Sequence, residues 1–209
     1  MIKVINIEKS YGKNKIFSDF SLNIDEGEFV AIYGVSGCGK STLLNCIGLL
    51  DQVDKGDIFI EGIKINNINS KEAVLNRRHK IGYMFQTYAL IEEYSVFENL
   101  KLALEYKKNT KSEVHKKIDK VLEKLGILDK KYSIVYELSG GQQQKVSFAR
   151  VLLQDPKIIL ADEPTGSLDK ENKLNLLDLL KQENKKGKTI VVVSHDEEVK
   201  SYSSRVIKL

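Results

Sequence analysis

The sequence predicts an α/β fold built on a mostly parallel β-sheet. Continuous apolar runs occur at residues 29–33, 158–161 and 189–193, and a strand that is buried on both faces has this pattern. Segments with helical spacing separate these runs, and an alternation of strands and helices is typical of parallel sheets. A glycine-rich loop directly follows the first run, which places a candidate phosphate-binding turn between a strand and a helix.

The first 65 residues contain several further predicted elements. Alternating patterns predict strands around residues 4–7 and 20–24, before the apolar run that ends at Gly34. A short hairpin is predicted at 57–60 and 63–65. The helix that follows the glycine-rich loop has apolar residues at helical spacing: Leu43, Leu44, Ile47 and Leu50.

From residue 81 onward the pattern changes from strand to helix. Residues 81–86 predict another apolar strand, and residues 87–155 are expected to form an inserted helical sub-domain within a single domain. Gly126 is predicted to end one of its helices. The core and a β sub-domain are then expected at about 1–86 and 156–209. A further helix should end near Gly187, and residues 205–209 predict an edge strand.

Composition limits the class of protein. The 209 residues suit one domain, and a net charge of +4, from 33 basic and 29 acidic residues, gives no reason to expect a nucleic-acid partner. Cys38 and Cys46 lie too close together for a disulfide framework, so a reducing compartment is expected. The N-terminus does not resemble a signal peptide, and no uncharged apolar run approaches the ~20 residues that span a bilayer. Any membrane role is therefore expected to come through a partner chain.

The glycine-rich loop matches the phosphate-loop pattern. Its glycines let the backbone curl so that successive N–H groups face the phosphates, and the helix N-terminus adds partial positive charge. Lys40 is expected to reach the β- and γ-phosphates, and Ser41 to bind Mg²⁺. The nucleotide contacts are expected from nine consecutive residues: Gly34, Val35, Ser36, Gly37, Cys38, Gly39, Lys40, Ser41 and Thr42.

Two carboxylates, Asp162 and Glu163, stand at the end of an apolar strand. At that position one carboxylate can hold Mg²⁺ through its water shell, and the other can orient or deprotonate the attacking water. The alternative is a solvated strand end or a helix cap. The phosphate loop upstream favours the metal and water roles.

A second glycine-rich turn, formed by Ser139, Gly140, Gly141 and Gln142, precedes a predicted helix. Ser139 alone suits a helix N-cap. Two adjacent glycines are costly for a cap alone, and a close backbone approach to an anion explains them better. This turn cannot serve the same phosphates from the same side as the phosphate loop. We therefore expect one ATP to be held between two copies of the chain, in a dimer whose closure depends on ATP.

The order of these motifs resembles the ATP-binding subunit of an ABC transporter. The matching residues span nearly the whole chain: the phosphate loop, Gln86, Leu138 with the turn at 139–142, Asp162-Glu163, Ser167-Leu168-Asp169 and His195. The resemblance implies a RecA-like core, a small antiparallel β sub-domain and a helical sub-domain. It also implies a head-to-tail homodimer, in which the phosphate loop of one copy faces the 139–142 turn, here called the signature turn, of the other.

The resemblance further assigns roles to individual residues. Tyr11 is expected to stack on adenine, and Gln86 to sense Mg²⁺, the attacking water and the membrane partner. Glu163 becomes the general base, and Asp169 part of an inter-subunit loop. His195, which follows a core strand at the carboxyl end of the sheet, becomes the γ-phosphate contact. The expected catalytic set is Glu163, His195, Gln86 and Lys40, and the expected Mg²⁺ ligands are Ser41, Gln86 and Asp162.

Within the family, residues 162–169 and the small size resemble the lipoprotein-releasing and macrolide-exporter branch, and residues 85–100 resemble small bacteriocin-export ATPases. The expected function is Mg²⁺-dependent ATP hydrolysis that powers export of a bacteriocin, peptide or lipophilic compound through a separate integral-membrane permease. The alternative is a cell-division or signalling ATPase that acts through a membrane partner without transport. Both place the chain in the cytoplasm, on the inner face of the plasma membrane. A group of apolar and aromatic residues follows Gln86 and is expected to form either a docking groove for the membrane partner or the core of the sub-domain: Tyr88, Leu90, Ile91, Tyr94 and Phe97.

Overall fold

The computed structural model describes residues 1–166 and 168–209; Ser167, one of the residues behind the family resemblance, lies outside them. The strands are β1 (Ile2–Tyr11), β2 (Asn14–Ile24), β3 (Phe29–Tyr33), β4 (Lys55–Ile60), β5 (Ile63–Lys64), β6 (Ile81–Met84), β7 (Ile158–Asp162), β8 (Thr189–Val193) and β9 (Arg205–Lys208). The α-helices are α1 (Lys40–Ile47), α2 (Lys71–His79), α3 (Val96–Leu102), α4 (Lys111–Lys124), α5 (Gly140–Gln154), α6 (Lys170–Lys185) and α7 (Glu197–Tyr202).

The strands form two sheets of different type. Five of them make a parallel sheet in the order β6-β7-β8-β3-β9, and four make an antiparallel sheet in the order β2-β1-β4-β5. The predicted edge strand at the C-terminal end is therefore confirmed as β9. The carboxyl ends of β3, β6, β7 and β8 lie along one edge of the parallel sheet, where ligands bind in folds of this kind.

The parallel sheet separates two hydrophobic cores. Alternate residues of β3 show this division: Phe29 and Ala31 pack with α3 to α6, whereas Val30 and Ile32 pack with α1 and the antiparallel sheet. The other central strands, β7 and β8, divide their side chains in the same way. Burial on both faces explains why these strands are continuous apolar runs in the sequence.

Some predicted elements differ from the structure. The helix after the phosphate loop was expected to include Leu50, but α1 ends at Ile47 because Gly48 caps it and Leu49 has a left-handed φ of 58°. Leu50 is consequently 41% exposed. Helices α2 and α7 were not predicted. Helices α3, α4 and α5 fall between β6 and β7, in the segment predicted as the helical sub-domain, although its boundaries stay a prediction.

A buried carboxylate links α6 to the end of α4 and to the loop before β8. Glu183 of α6 is 2% exposed and accepts from Lys124 at 3.1 Å, Lys186 at 2.6 Å and Lys188 at 3.1 Å. Burial alone would raise the pKa of Glu183, but the hydrogen bonds from the three lysines outweigh burial and lower it to about 2. The folded state therefore favours the charged form.

We expect Glu183→Gln to lower the free energy of unfolding by about 3 kcal/mol at pH 7, because the three ammonium groups lose their shared counter-charge. In the wild type this stabilisation is complete above the ordinary pKa of 4.5 and is lost as the pH falls toward the folded value of about 2. Urea unfolding at pH 7 and at pH 3 measures it, with Glu123→Gln at an exposed position of α4 as the control. A difference between wild type and variant that does not shrink at pH 3 would contradict this account.

Candidate active site

The phosphate loop connects β3 to α1. Gly39, the N-cap of α1, has a φ of 100°, and a Cβ atom there would lie 2.5 Å from the Ile16 side chain, so the position requires glycine. Lys40 is 7% exposed, and its ammonium group donates to the carbonyl oxygens of Gly34 at 2.9 Å and Val35 at 3.0 Å. The ammonium group therefore lies against its own loop, whose backbone amides can donate to phosphate oxygens.

The end of β7 meets the start of α1. Ser41 Oγ donates to Asp162 Oδ1 at 2.9 Å, and Asp162 is 8% exposed. Burial raises the pKa of Asp162, the hydrogen bond from Ser41 opposes this shift, and the charge of Glu163 adds to it. A hydroxyl and a carboxylate side by side are hard oxygen donors that fit Mg²⁺, which takes few protein ligands when phosphates supply others.

The next residue, Glu163, faces the end of β8. Its Oε2 lies 3.0 Å from His195 Nδ1 and accepts from Ser194 Oγ at 3.2 Å. The backbone of Glu163 has a φ of 44°, in the left-handed region that non-glycine residues seldom adopt. Strained backbone of this kind is concentrated at functional sites. The arrangement brings the predicted general base and the predicted γ-phosphate contact together.

Part of the predicted set lines one cleft at the carboxyl edge of the parallel sheet, with a volume of about 770 Å³, whereas Asp162 is not among its lining residues. Lys40, Ser41, Gln86, Glu163 and His195 all contribute to its walls. Three further lining residues were not predicted, Ile16, Thr87 and Gly166, and a fourth, Tyr88, was expected in a docking groove or the sub-domain core.

The signature turn lies elsewhere, at the start of α5. Ser139 caps α5 by accepting from the Gln142 amide, and the Gln142 side chain accepts from the Ser139 amide in return. The alternative reading of Ser139 as an N-cap is therefore correct, whereas the anion contact stays a prediction; Ser139 and Gly140 are also exposed. No residue of this turn is among the described residues that line the cleft. Within one chain the signature turn therefore does not line the cleft, although a Cβ atom on Gly140 would lie 3.2 Å from the hydroxyl of Tyr88, which does.

Asp169 stands beside the signature turn. It caps α6 by accepting from the Asn172 amide at 3.0 Å, and hydrogen bonds from Asn172 lower the pKa of Asp169. A Cβ atom on Gly141 would lie 3.2 Å from Asn172 Nδ2, so the two helix starts are in close approach. Asp169 is exposed and remains the predicted inter-subunit residue.

Tyr11 is 49% exposed at the end of β1, and its hydroxyl donates to Asp51. Lys9 donates to the same carboxylate at 2.7 Å and lies 4.8 Å from the Tyr11 ring centroid. Although burial opposes it, hydrogen bonding from Lys9 and Tyr11 lowers the pKa of Asp51. Asp51 orients the ring that is predicted to stack on adenine, and this role was not predicted because nothing in the sequence links positions 11 and 51.

A family model described as ABC transporter matches residues 17–166, most of the chain. The chain belongs to the ABC transporter family. It is an ATP-binding cassette of that family, as the resemblance implied. In the described residues no helix is both long and apolar enough to cross a membrane.

Relatives lie in the predicted branch of the ABC transporter family. The macrolide export ATP-binding/permease protein MacB of Campylobacter jejuni is 42% identical over the whole chain, which spans 33% of MacB. The lipoprotein-releasing system ATP-binding protein LolD of Aquifex aeolicus is 38% identical over the whole chain and 93% of LolD. The bacitracin export ATP-binding protein BceA of Halalkalibacterium halodurans is 40% identical, covering 99% of this chain and 84% of BceA.

Solved ABC cassettes share the fold. The dimeric structure of the Methanocaldococcus jannaschii cassette MJ0796 matches with a TM-score of 0.94 and 41% identity, covering 100% of this chain and 94% of that one. A second structure of that cassette is a dimer in a post-hydrolysis state bound to ADP and Pi. The predicted fold class, a RecA-like core with antiparallel and helical additions, is confirmed.

Proposed function

We propose that the chain is the ATP-hydrolysing subunit of an ABC exporter and works with a permease on a separate chain. The observation that carries the proposal is the placement of Lys40, Gln86, Glu163 and His195 in one cleft, whose described lining does not include the exposed signature turn. A single chain then provides two half-sites rather than one complete site. Two copies arranged head to tail would complete both.

Each residue of the cleft has a physical role in the proposed reaction. The amides of the phosphate loop and Lys40 bind the β- and γ-phosphates, in place of the carbonyl contacts that Lys40 makes in this structure. Glu163 Oε2 accepts the proton of the attacking water, and His195 orients that carboxylate and contacts the γ-phosphate. Mg²⁺, when bound, neutralises charge on the phosphates, and Ser41 and Asp162, with Gln86, would hold it.

The proposed partner surface lies on the helical segment. Several large apolar or aromatic side chains are exposed on this segment: Ile91, Tyr94, Leu102, Tyr106, Tyr132 and Tyr136. Exposed large apolar side chains that lie together mark protein interaction surfaces. We assign the surface to the permease, which would place the cassette on the cytoplasmic face of the membrane. The relatives' named substrates support a peptide or lipophilic compound as the exported substance.

A shared site makes hydrolysis depend on encounters between chains. We expect MgATP turnover per chain to rise with protein concentration and then level off as dimers saturate. Phosphate release measured over a thousandfold range of protein concentration, at saturating MgATP, tests this expectation. The same series without Mg²⁺ should show no turnover. Turnover per chain that is constant across the range would contradict a site built from two weakly associating copies.

A further inference from the structure

Helix α5 contacts two of the loops that line the cleft, the one after β6 and the one after β7. Its side chains Gln144, Ser147 and Arg150 are spaced three residues apart and share one face of the helix. Gln144 Nε2 donates at 2.9 Å to the carbonyl oxygen of Pro164, the residue after Glu163. Gln144 and Ser147 are both buried, so their polar atoms depend on partners within the protein.

The other two side chains hold the loop that follows Gln86. Ser147 Oγ donates to the Tyr88 carbonyl oxygen at 3.2 Å. Arg150 Nη2 donates to the same oxygen at 2.9 Å, and its Nη1 donates to the Ala89 carbonyl oxygen. Three donors from one helix therefore converge on two adjacent peptide groups.

These two peptide groups belong to a strained turn. Tyr88 and Ala89 have φ values of 60° and 49°, both in the left-handed region. Two consecutive non-glycine residues persist there only when the surroundings hold them, because each costs about 1–3 kcal/mol. Without the donors from α5, the turn would relax and Gln86, two residues before it, would lose its position.

The guanidinium of Arg150 binds main-chain atoms. In the described part of the chain its hydrogen-bond partners are carbonyl oxygens. Burial lowers the pKa of Arg150, yet a guanidinium keeps its charge at physiological pH. The half-buried guanidinium fixes the two carbonyl groups that it binds. Losing these hydrogen bonds would leave buried polar groups on both sides without a partner of equal strength.

We propose that Arg150, assisted by Ser147, is a positioning residue that couples the signature turn to Gln86 of the same chain. The signature turn begins α5, and Arg150 lies ten residues further along this helix from Gly140, about 15 Å at the helical rise. The first turn of α5 receives the nucleotide that is bound by a second copy, and the helix then shifts as a rigid body. This shift moves Arg150, and Gln86 with it, into the catalytic position. Gln144 links the same movement to the loop after Glu163. The inference rests on the proposed function, because it requires a nucleotide shared between two copies.

The test is a double-mutant cycle on hydrolysis. Arg150→Gln is expected to lower kcat about tenfold or more, since misplacing a catalytic group by about 1 Å can cost that much, with KM for ATP within about twofold. In a Gln86→Ala background the same substitution should have little further effect, because the residue it positions is absent. Arg150→Lys, with one donor nitrogen in place of the fork, should recover only part of kcat.

Arg77 provides the matched control. Its guanidinium also donates to two backbone carbonyls, of Leu49 at 2.9 Å and Ile68 at 2.6 Å, but on the opposite side of the sheet from the loop after Gln86. Arg77→Gln should lower thermal stability about as much as Arg150→Gln does, but it should leave kcat unchanged. If Arg150→Gln does not fold, Ser147→Ala carries the test, with an expected loss of about twofold in kcat that disappears in the Gln86→Ala background.

Two results would overturn the coupling. One is an equal fold-loss from Arg150→Gln with and without Gln86, and the other is an equal loss of kcat from Arg77→Gln. Wild-type turnover of MgATP separates this inference from the proposed function. If the wild type hydrolyses MgATP and the cycle is additive, only the role of Arg150 fails, whereas absence of wild-type turnover removes the proposed function itself.

Discussion

Replacing Glu163 by Gln will lower kcat for ATP hydrolysis by about 10²–10⁴-fold, the range expected when a general base is lost. The amide has almost the shape of the carboxylate and can still accept from Ser194, but it cannot take a proton from water. Because Lys40 and the phosphate loop are unchanged, the affinity for MgATP should remain within a few-fold of wild type. Phosphate release and equilibrium binding of a fluorescent ATP analogue measure the two quantities.

A control variant separates the chemistry from the local geometry. Glu197→Gln removes an exposed carboxylate at the start of α7, two residues after His195, and should leave kcat near the wild-type value. Hydrolysis by Glu163→Gln at more than a tenth of the wild-type rate would show that another group accepts the proton. The assignment of Glu163 would then be wrong, although ATP binding would stand.

The second large effect is expected from Lys40→Ala. The variant should bind ATP at least about 100-fold more weakly, because charge-assisted hydrogen bonds worth about 3 kcal/mol are lost. Lys40 is also buried, so its replacement leaves a gap in the floor of the cleft. Isothermal titration of ATP in the presence of Mg²⁺ checks the loss.

The matched control for Lys40→Ala is Lys131→Ala. Lys131 is a buried lysine as well, 8% exposed, but it pairs with Asp119 at 2.6 Å on the helical segment. Lys131→Ala should reduce stability and leave the affinity for ATP unchanged. Equal affinities of wild type and Lys40→Ala would contradict the proposed phosphate contact.

The sequence predicted the parts of the fold that local patterns determine. Strands β3, β7 and β8 are continuous apolar runs because both of their faces are buried. The cap of α5 was considered only as the alternative to an anion-binding turn, and the reciprocal bond from the Ser139 amide to the Gln142 side chain was not predicted. Helices α2 and α7 were missed because they bury few side chains, Ala73 and Asn76 in α2 and Val199 in α7, which leaves no apolar period to detect.

The candidate site was predictable as a set of motifs but not as an arrangement. Gly39, Lys40 and Ser41 are neighbours in the chain, so their spacing alone indicates a phosphate loop. The contact of Glu163 with His195 depends on the register of β7 beside β8, which no local pattern specifies. The anchoring of Tyr88 by Arg150 spans 62 positions, and only the packing of α5 against the loop after β6 reveals it.

The central claim is that ATP is held between two copies of this chain. Size-exclusion chromatography with light scattering on Glu163→Gln tests it most directly, because this variant should retain the nucleotide that closes the dimer. The account predicts a monomer of 23.7 kDa without nucleotide and a species of twice that mass with MgATP, absent when Gly141→Asp is added in the signature turn. A Glu163→Gln variant that binds MgATP and stays at 23.7 kDa would contradict it.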